Sequence, residues 1–345
     1  MPNSSNMRTG GRILVDQLKI HNVDTAFCVP GESYLAALDA LHDTPEIRLL
    51  TCRHEANAAN MAEAYGKLTG RPGICFVTRG PGACHAVVGL HTAFQDSSPL
   101  VLFVGQVGRE MMEREAFQEM DFRRFFGQVS KWSAEIQDPG RIPELVSQAF
   151  HVATSGRPGP VVLSLPEDML RELSGVGDAK AYRGVQAHPG PDDMAQLREM
   201  LAAAKRPVMM LGGGTWTPKA VADITAFAEA NNLPVSCAFR NQDRFDNYHE
   251  NYVGEVGIGS NPALIARLKE TDLLLAVGPR LGEQTTQGYS LLDIPVPQLP
   301  MVHIHPDAGE LGRVYQADLP INAGMEAFAA AARAMAPVDS AAWAD

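Results

Sequence analysis

Gly73-Ile74-Cys75-Phe76-Val77-Thr78-Arg79-Gly80-Pro81-Gly82 reads as a short apolar strand that runs into a chain break. Just before it, Glu55–Thr69 carries Ala58, Met61, Ala62 and Tyr65 at helical spacing, and Gly70-Arg71-Pro72-Gly73 stops that helix. Just after it, Gly80-Pro81-Gly82 starts a further helix that ends near Asp96. Helix, strand, break and helix in this order are the pattern of βαβ units, and those imply a parallel sheet.

The same alternation extends in both directions. Thr25–Val29, Arg48–Thr51, Leu100–Gly105 and Val161–Leu165 are further strands, and Pro139–Ser155 is a helix that Gly156-Arg157-Pro158-Gly159-Pro160 turns into the last of them. Over residues 171–190 the pattern dissolves into Gly, Pro, Ala and charges, the composition of a linker. A second series follows. Pro207–Leu211 runs into Gly212-Gly213-Gly214, Pro218–Asn231 is a helix, Pro234–Ala238, Asp272–Val277 and Pro300–His305 are strands, and Met325–Ala334 closes as a helix. The expected fold is α/β, two consecutive doubly wound domains with mostly parallel sheets over 8–170 and 191–336, with Pro337–Asp345 as a frayed end.

Composition narrows the function. The 345 residues suit two domains, each long enough for a real core. Lys and Arg number 29 against 40 Asp and Glu, a net charge of −11, which argues against nucleic acid or an anionic membrane as partner. Five cysteines (Cys28, Cys52, Cys75, Cys84, Cys237) without CxxC spacing read as reduced, mostly buried thiols. The first ten residues are polar, and no stretch reaches the roughly 18 apolar residues of a membrane span. The expectation is a soluble cytoplasmic protein.

Glu55 stands at a strand-to-helix junction, where ligands of open α/β sheets bind. A carboxylate there is either a general base or a complement to the positive end of the helix. Gly212-Gly213-Gly214 lacks the GxGxxG spacing of a dinucleotide fingerprint, so a nicotinamide-dependent dehydrogenase is disfavoured.

Five motifs follow one another in a fixed order: Val29-Pro30-Gly31-Glu32, Arg53-His54-Glu55, Thr78-Arg79-Gly80-Pro81-Gly82-Ala83, Ala116-Phe117-Gln118-Glu119 and Gly156-Arg157-Pro158-Gly159-Pro160-Val161. Together they resemble the pyrimidine-binding domain of thiamine-diphosphate-dependent enzymes, in particular the acetolactate-synthase-like branch. Arg206-Pro207-Val208, the Gly212–Gly214 turn, Asp272–Gly278 and His303-Ile304-His305-Pro306-Asp307 are similar to that branch's central domain.

The resemblance implies chemistry on a 2-keto acid, decarboxylation or carboligation, with thiamine diphosphate and Mg²⁺ as cofactors. It implies that Glu55 hydrogen-bonds the aminopyrimidine ring and promotes loss of the thiazolium C2 proton, a task suited to a carboxyl group among Ala56, Ala58, Ala59 and Met61. It gives Gln118 a place beside the substrate, and it places Pro30, Gly31, Gly80, Pro81 and Gly82 against the cofactor. His85 stands where relatives often have asparagine and either contacts cofactor or substrate or is an ordinary helix histidine. Arg79, where relatives often have serine, either meets a substrate carboxylate or caps a turn.

Flavin-holding relatives contact FAD through the glycines matching Gly212–Gly214 and the arginine matching Arg157. Gly278–Gln284 does not match their ARFDDR-like stretch, so a colourless protein is expected. The GDG…N segment that holds Mg²⁺ and the diphosphate in the family is not found, Val176-Gly177-Asp178-Ala179 lacking the second glycine, so no metal ligands are assigned. The expectation is a fragment of a longer enzyme or one subunit of a split one. Its partners would be a second copy or a chain bearing the diphosphate-binding domain. A non-catalytic nucleotide-binding module is the alternative.

Overall fold

A computed structural model describes residues 7–339. The chain divides into two compact units at Gly184/Val185.

The first unit contains β1 (Arg8–Thr9), α1 (Gly10–Ile20), β2 (Thr25–Cys28), α2 (Leu35–His42), β3 (Arg48–Thr51), α3 (Glu55–Thr69), β4 (Gly73–Val77), α4 (Pro81–Asp96) and β5 (Leu100–Gln106). It continues through α5 (Phe122–Phe126), β6 (Trp132–Glu135), α6 (Ile142–Thr154), β7 (Pro160–Pro166), α7 (Glu167–Arg171) and β8 (Leu173–Ser174). Six strands form one parallel sheet in the order β3-β2-β4-β5-β7-β6. Alternate strand residues feed two cores. Ala26, Ile74, Phe76, Phe103 and Leu163 pack on the α1 and α6 side. Phe27, Cys75, Val77, Leu102 and Val162 pack on the α3 and α4 side. Each fully buried aliphatic or Phe side chain contributes about 1.5–3 kcal/mol of transfer free energy.

Chain order reverses between β2 and β4, so the crevice beyond their carboxyl ends is the switch point where such sheets bind ligands. Small residues bring α3 and α4 together there. A β-carbon on Gly89 of α4 would lie 2.5 Å from Ala59 Cβ of α3, an approach only glycine allows.

The stretch read as a linker is partly committed to this unit. Leu173–Ser174 pairs antiparallel with Arg8–Thr9, and Val176 and Tyr182 pack on the core. The physical reason is Gln17. Its buried amide donates to Asp178 Oδ1 at 2.8 Å and accepts from the Ala179 N–H at 3.1 Å, and so needs that segment in place.

The second unit contains α8 (Pro191–Ala203), β9 (Pro207–Leu211), α9 (Pro218–Ala230), β10 (Val235–Ala238), β11 (Tyr252–Val256), α10 (Pro262–Lys269), β12 (Leu273–Val277), β13 (Met301–His305), β14 (Leu319–Asn322) and α11 (Met325–Ala334). Its six strands are also all parallel, in the order β11-β10-β9-β12-β13-β14. Two doubly wound α/β units are thus the architecture of the chain.

The expected frayed end is corrected at its start. Val338 is buried and its N–H donates to Asn231 Oδ1 at 2.9 Å, because the apolar face of α9 extends that far. Residues 340–345 lie outside the described part.

The end of β13 carries a testable acid sensitivity. His305 is buried, and desolvation holds its ring down to about 4, with His303 also lowered by burial beside it. An unfolded histidine takes up its proton near pH 6.5, so the unfolded state binds more protons between about 6.5 and 4. Stability from this site is complete above that window and falls by about 3 kcal/mol across it. Between pH 7 and 4.5 the urea midpoint of wild type should fall more steeply than that of His305→Gln. Parallel pH dependence in the two proteins would contradict this assignment.

Candidate active site

Glu55 is the first residue of α3, just past the carboxyl end of β3. His54 is the N-cap with extended backbone, and its Nδ1 accepts the Ala56 N–H at 3.1 Å, a service usually given by Ser, Thr, Asp or Asn. This cap fixes the first turn and aims Glu55 into the switch-point crevice. The Glu55 side chain is 12% exposed. Its Oε2 lies 3.0 Å from Nδ1 of His85, on the first turns of α4. The rings of His85 and His54 lie against each other, centroids 4.6 Å apart and tilted by 30°. Among the described residues no other group hydrogen-bonds Glu55.

The glycines of the turns leave room around the second carboxylate oxygen. A β-carbon on Gly82 would lie 2.9 Å from Thr78 Cγ2 and 3.5 Å from Glu55 Oε1, so its absence keeps that oxygen approachable. One on Gly31 would lie 2.4 Å from Thr78 Cβ, which brings the Pro30-Gly31 turn against the same threonine. Tyr34 Oη donates to the Val29 carbonyl at 2.5 Å, and Ser33 Oγ meets Thr78 Oγ1 at 2.8 Å, so both turns are locked.

Gln118 reaches the cluster from the loop after β5. Its Cβ would lie 2.7 Å from a β-carbon on Gly80, whose φ of 56° and ψ of −112° suit glycine alone. Gln118 itself has φ 65°, and Glu113 and Glu115 have φ 62° and 54°. Three left-handed non-glycine residues in six cost about 1 kcal/mol or more each, strain of the kind held at functional loops. Glu119 holds the loop by accepting from the Glu113 N–H at 2.5 Å and the Ala116 N–H at 3.0 Å, and the first of these bonds keeps its carboxyl below the usual range.

The structure therefore brings Pro30, Gly31, Glu55, Gly80, Pro81, Gly82, His85 and Gln118 to one crevice. Arg157 is elsewhere. It precedes β7, its Nε donates to Ser97 Oγ at 2.8 Å, its Nη2 donates to the Phe94 carbonyl, and its guanidinium lies over the Phe94 ring at the far end of α4. Arg79 is 11% exposed and ties three segments together. It pairs with Glu167 at 3.2 Å and Glu32 at 3.5 Å and donates Nε to the Phe117 carbonyl at 3.2 Å. Its two carboxylate partners are protein groups, and its bond to Phe117 sets the residue before Gln118.

In the second unit Gly212–Gly214 follows β9 and Gly278 follows β12, at that unit's own switch point. A β-carbon on Gly213 would lie 2.2 Å from the Gly278 carbonyl oxygen, so these glycines let two backbones cross.

His54 is a further residue at the site. The sequence shows it in Arg53-His54-Glu55, but its contact with the His85 ring depends on the α3–α4 packing. His54, Glu55 and His85 offer ligand atoms within 4.8 Å of one another, the composition of a divalent-metal site. However, the capping bond engages the Nδ1 lone pair of His54 and leaves the proton on Nε2. His54 is thus a structural cap. The cysteines fit the reading of mostly buried thiols: Cys28, Cys75 and Cys237 are buried and pushed up by that burial, Cys237 to about 12, while Cys52 is half-buried and Cys84 exposed. Among the described residues no helix is long and apolar enough to cross a membrane.

Residues 8–125 match the family model for the thiamine pyrophosphate enzyme, N-terminal TPP binding domain, and residues 194–332 match that for the thiamine pyrophosphate enzyme, central domain. The acetolactate synthase large subunit of Corynebacterium glutamicum is 34% identical over 318 residues, covering 91% of this chain and 50% of that protein. The acetolactate synthase isozyme 2 large subunit of Escherichia coli is 32% identical over 323 residues, covering 92% of this chain and 58% of that protein. A probable acetolactate synthase large subunit of Methanocaldococcus jannaschii is 32% identical over 323 residues, covering 90% and 53%. The chain spans about half the length of the curated relatives it matches.

Proposed function

The chain belongs to the thiamine pyrophosphate enzymes, and from that premise we propose that it forms the pyrimidine-binding part of a synthase or decarboxylase acting on a 2-keto acid. The observation that carries the reading is Glu55, a nearly enclosed carboxylate with one oxygen held by His85 and the other open beside Gly82. That arrangement fits the edge of an aminopyrimidine ring.

Thiamine diphosphate, when bound, supplies a carbon nucleophile and an electron sink for breaking the bond beside a keto group. The protein's part is positional and protonic. Were the cofactor bound, Glu55 would be the residue that meets its ring edge and gives or takes up a proton there. The Pro30-Gly31 and Gly80-Pro81-Gly82 turns would hold the ring through backbone, and a side chain at Gly82 would press on Thr78 and approach Glu55 Oε1. Gln118, on the strained loop that Arg79 and Glu119 hold beside Gly80, would be the residue that borders the substrate. The diphosphate and its Mg²⁺ are assigned to a diphosphate-binding domain outside these 345 residues, on a longer polypeptide or a partner, with a second copy of the chain as the other expected partner.

Flavin is not assigned. Arg157 donates to Ser97 and to the Phe94 carbonyl, and the close crossing of Gly213 and Gly278 accounts for their missing side chains.

The test uses the protein with whatever partner completes it, given thiamine diphosphate, Mg²⁺ and pyruvate as the simplest 2-keto acid. We expect keto-acid consumption that depends on both cofactors, and no flavin absorption bands. No consumption across a panel of 2-keto acids, with thiamine diphosphate shown to bind, would contradict the proposal.

A further inference from the structure

We propose that His85 is the proton carrier between Glu55 and solvent. The inference rests on the proposed role of Glu55, and it begins from a difficulty in that role. A carboxyl group that gives and takes protons in an enclosed crevice needs a route by which net protons enter and leave, and Glu55 is only 12% exposed.

The groups around Glu55 narrow the routes. Tyr34 and Cys75 lie near enough to feel its charge, but both are buried, so neither reaches water. His54 lies close by, but its capping bond leaves a proton on Nε2 and no free lone pair. His85 alone among the described residues both bonds the carboxylate, at 3.0 Å, and opens to solvent, with 51% of its side chain exposed. Nδ1 of His85 is turned to Oε2, and the ring lies beside that of His54 with half its side chain open to solvent.

The transfer balances without any other reactant. With Glu55 protonated, its hydroxyl donates to Nδ1 of a neutral His85 that carries its proton on Nε2. The Glu55 proton moves to Nδ1 while Nε2 releases its own to water. Glu55 is left ionised, accepting from Nδ1–H, and one proton has reached bulk solvent. The reverse sequence returns a proton. Imidazole suits this because its two nitrogens exchange roles without net charge.

The test separates this role from that of Glu55. In the complete enzyme loaded with thiamine diphosphate and Mg²⁺, the rate of cofactor C2 proton exchange is measured in wild type, His85→Asn and Glu55→Gln. Asparagine keeps an N–H donor near the Nδ1 position but has no second nitrogen to titrate. We expect His85→Asn to slow exchange about 10-fold or more, with recovery on adding free imidazole, and Glu55→Gln to be slow and unrescued. Independently of activity, ¹⁵N spectra of the chain above neutral pH should show His85 as the Nδ1–H form, reverting to Nε2–H in Glu55→Gln. Exchange within twofold of wild type in His85→Asn, slowing that imidazole does not relieve, or an Nε2–H form in wild type would each overturn the relay. Fast exchange in Glu55→Gln would instead overturn the role of Glu55 on which it rests.

Discussion

Glu55→Gln is expected to lower turnover of a 2-keto acid by about 10²–10⁴-fold, the usual contribution of a positioned acid–base group. Glutamine matches the shape of glutamate and its amide still meets His85, so α3, its His54 cap and the surrounding turns should stay in place. What is lost is a group that can hold a proton in one step and give it up in the next. Melting within a degree or two of wild type, with cofactor affinity kept and turnover collapsed, is the predicted pattern. Turnover within tenfold of wild type would remove Glu55 from the chemistry, and a collapsed fold would make it a structural residue.

Gly80→Ala should be the most damaging single methyl group at the site. Its backbone lies at φ 56° and ψ −112°, where a side chain costs about 1–3 kcal/mol, and the added carbon would sit 2.7 Å from Gln118 Cβ and 3.1 Å from its carbonyl oxygen. The loop carrying Gln118 is already strained and tied to Arg79 and Glu119, so it has little freedom to retreat. A loss of more than about 2 kcal/mol is expected, together with a large fall in activity as Gln118 is pushed from the crevice. Gly70→Ala is the control. Gly70 also has a positive φ, 69°, but has open space around it at the end of α3, so the expected cost is about 1 kcal/mol with activity unchanged. Equal effects of the two substitutions, by calorimetry and turnover, would contradict the tight approach of the two loops.

The elements that periodicity made legible were those with strong local signals. Glu55–Thr69 is read correctly because Gly70-Arg71-Pro72-Gly73 ends it sharply, and Pro207–Leu211 because it is wholly buried. Elements defined by their neighbours were passed over. Trp132–Glu135 is an edge strand, half-buried throughout and without β-branched residues, and only its pairing with β7 makes it a strand. Leu319–Asn322 contains Pro320, which argues against a strand until the sheet edge is known to tolerate it.

The candidate site divides in the same way. Glu55, the glycine turns and Gln118 stand out as motifs. The bond from His85 to Glu55 joins residues thirty positions apart, and it exists because Gly89 and Ala59 let two helices close. No local pattern encodes that distance. For Arg79 the sequence allows either substrate binding or turn capping, and the structure gives it two carboxylates and a carbonyl from three separate segments.

The central claim is that the Glu55 carboxyl group moves the proton that activates bound thiamine diphosphate. Deuterium exchange at C2 of the bound cofactor, followed by proton NMR after acid quench, measures that event before any substrate adds. Exchange in the wild-type enzyme should run far faster than in free cofactor, and Glu55→Gln should return it to within about tenfold of the free rate while cofactor remains bound. Wild-type exchange in the Glu55→Gln enzyme would contradict the account.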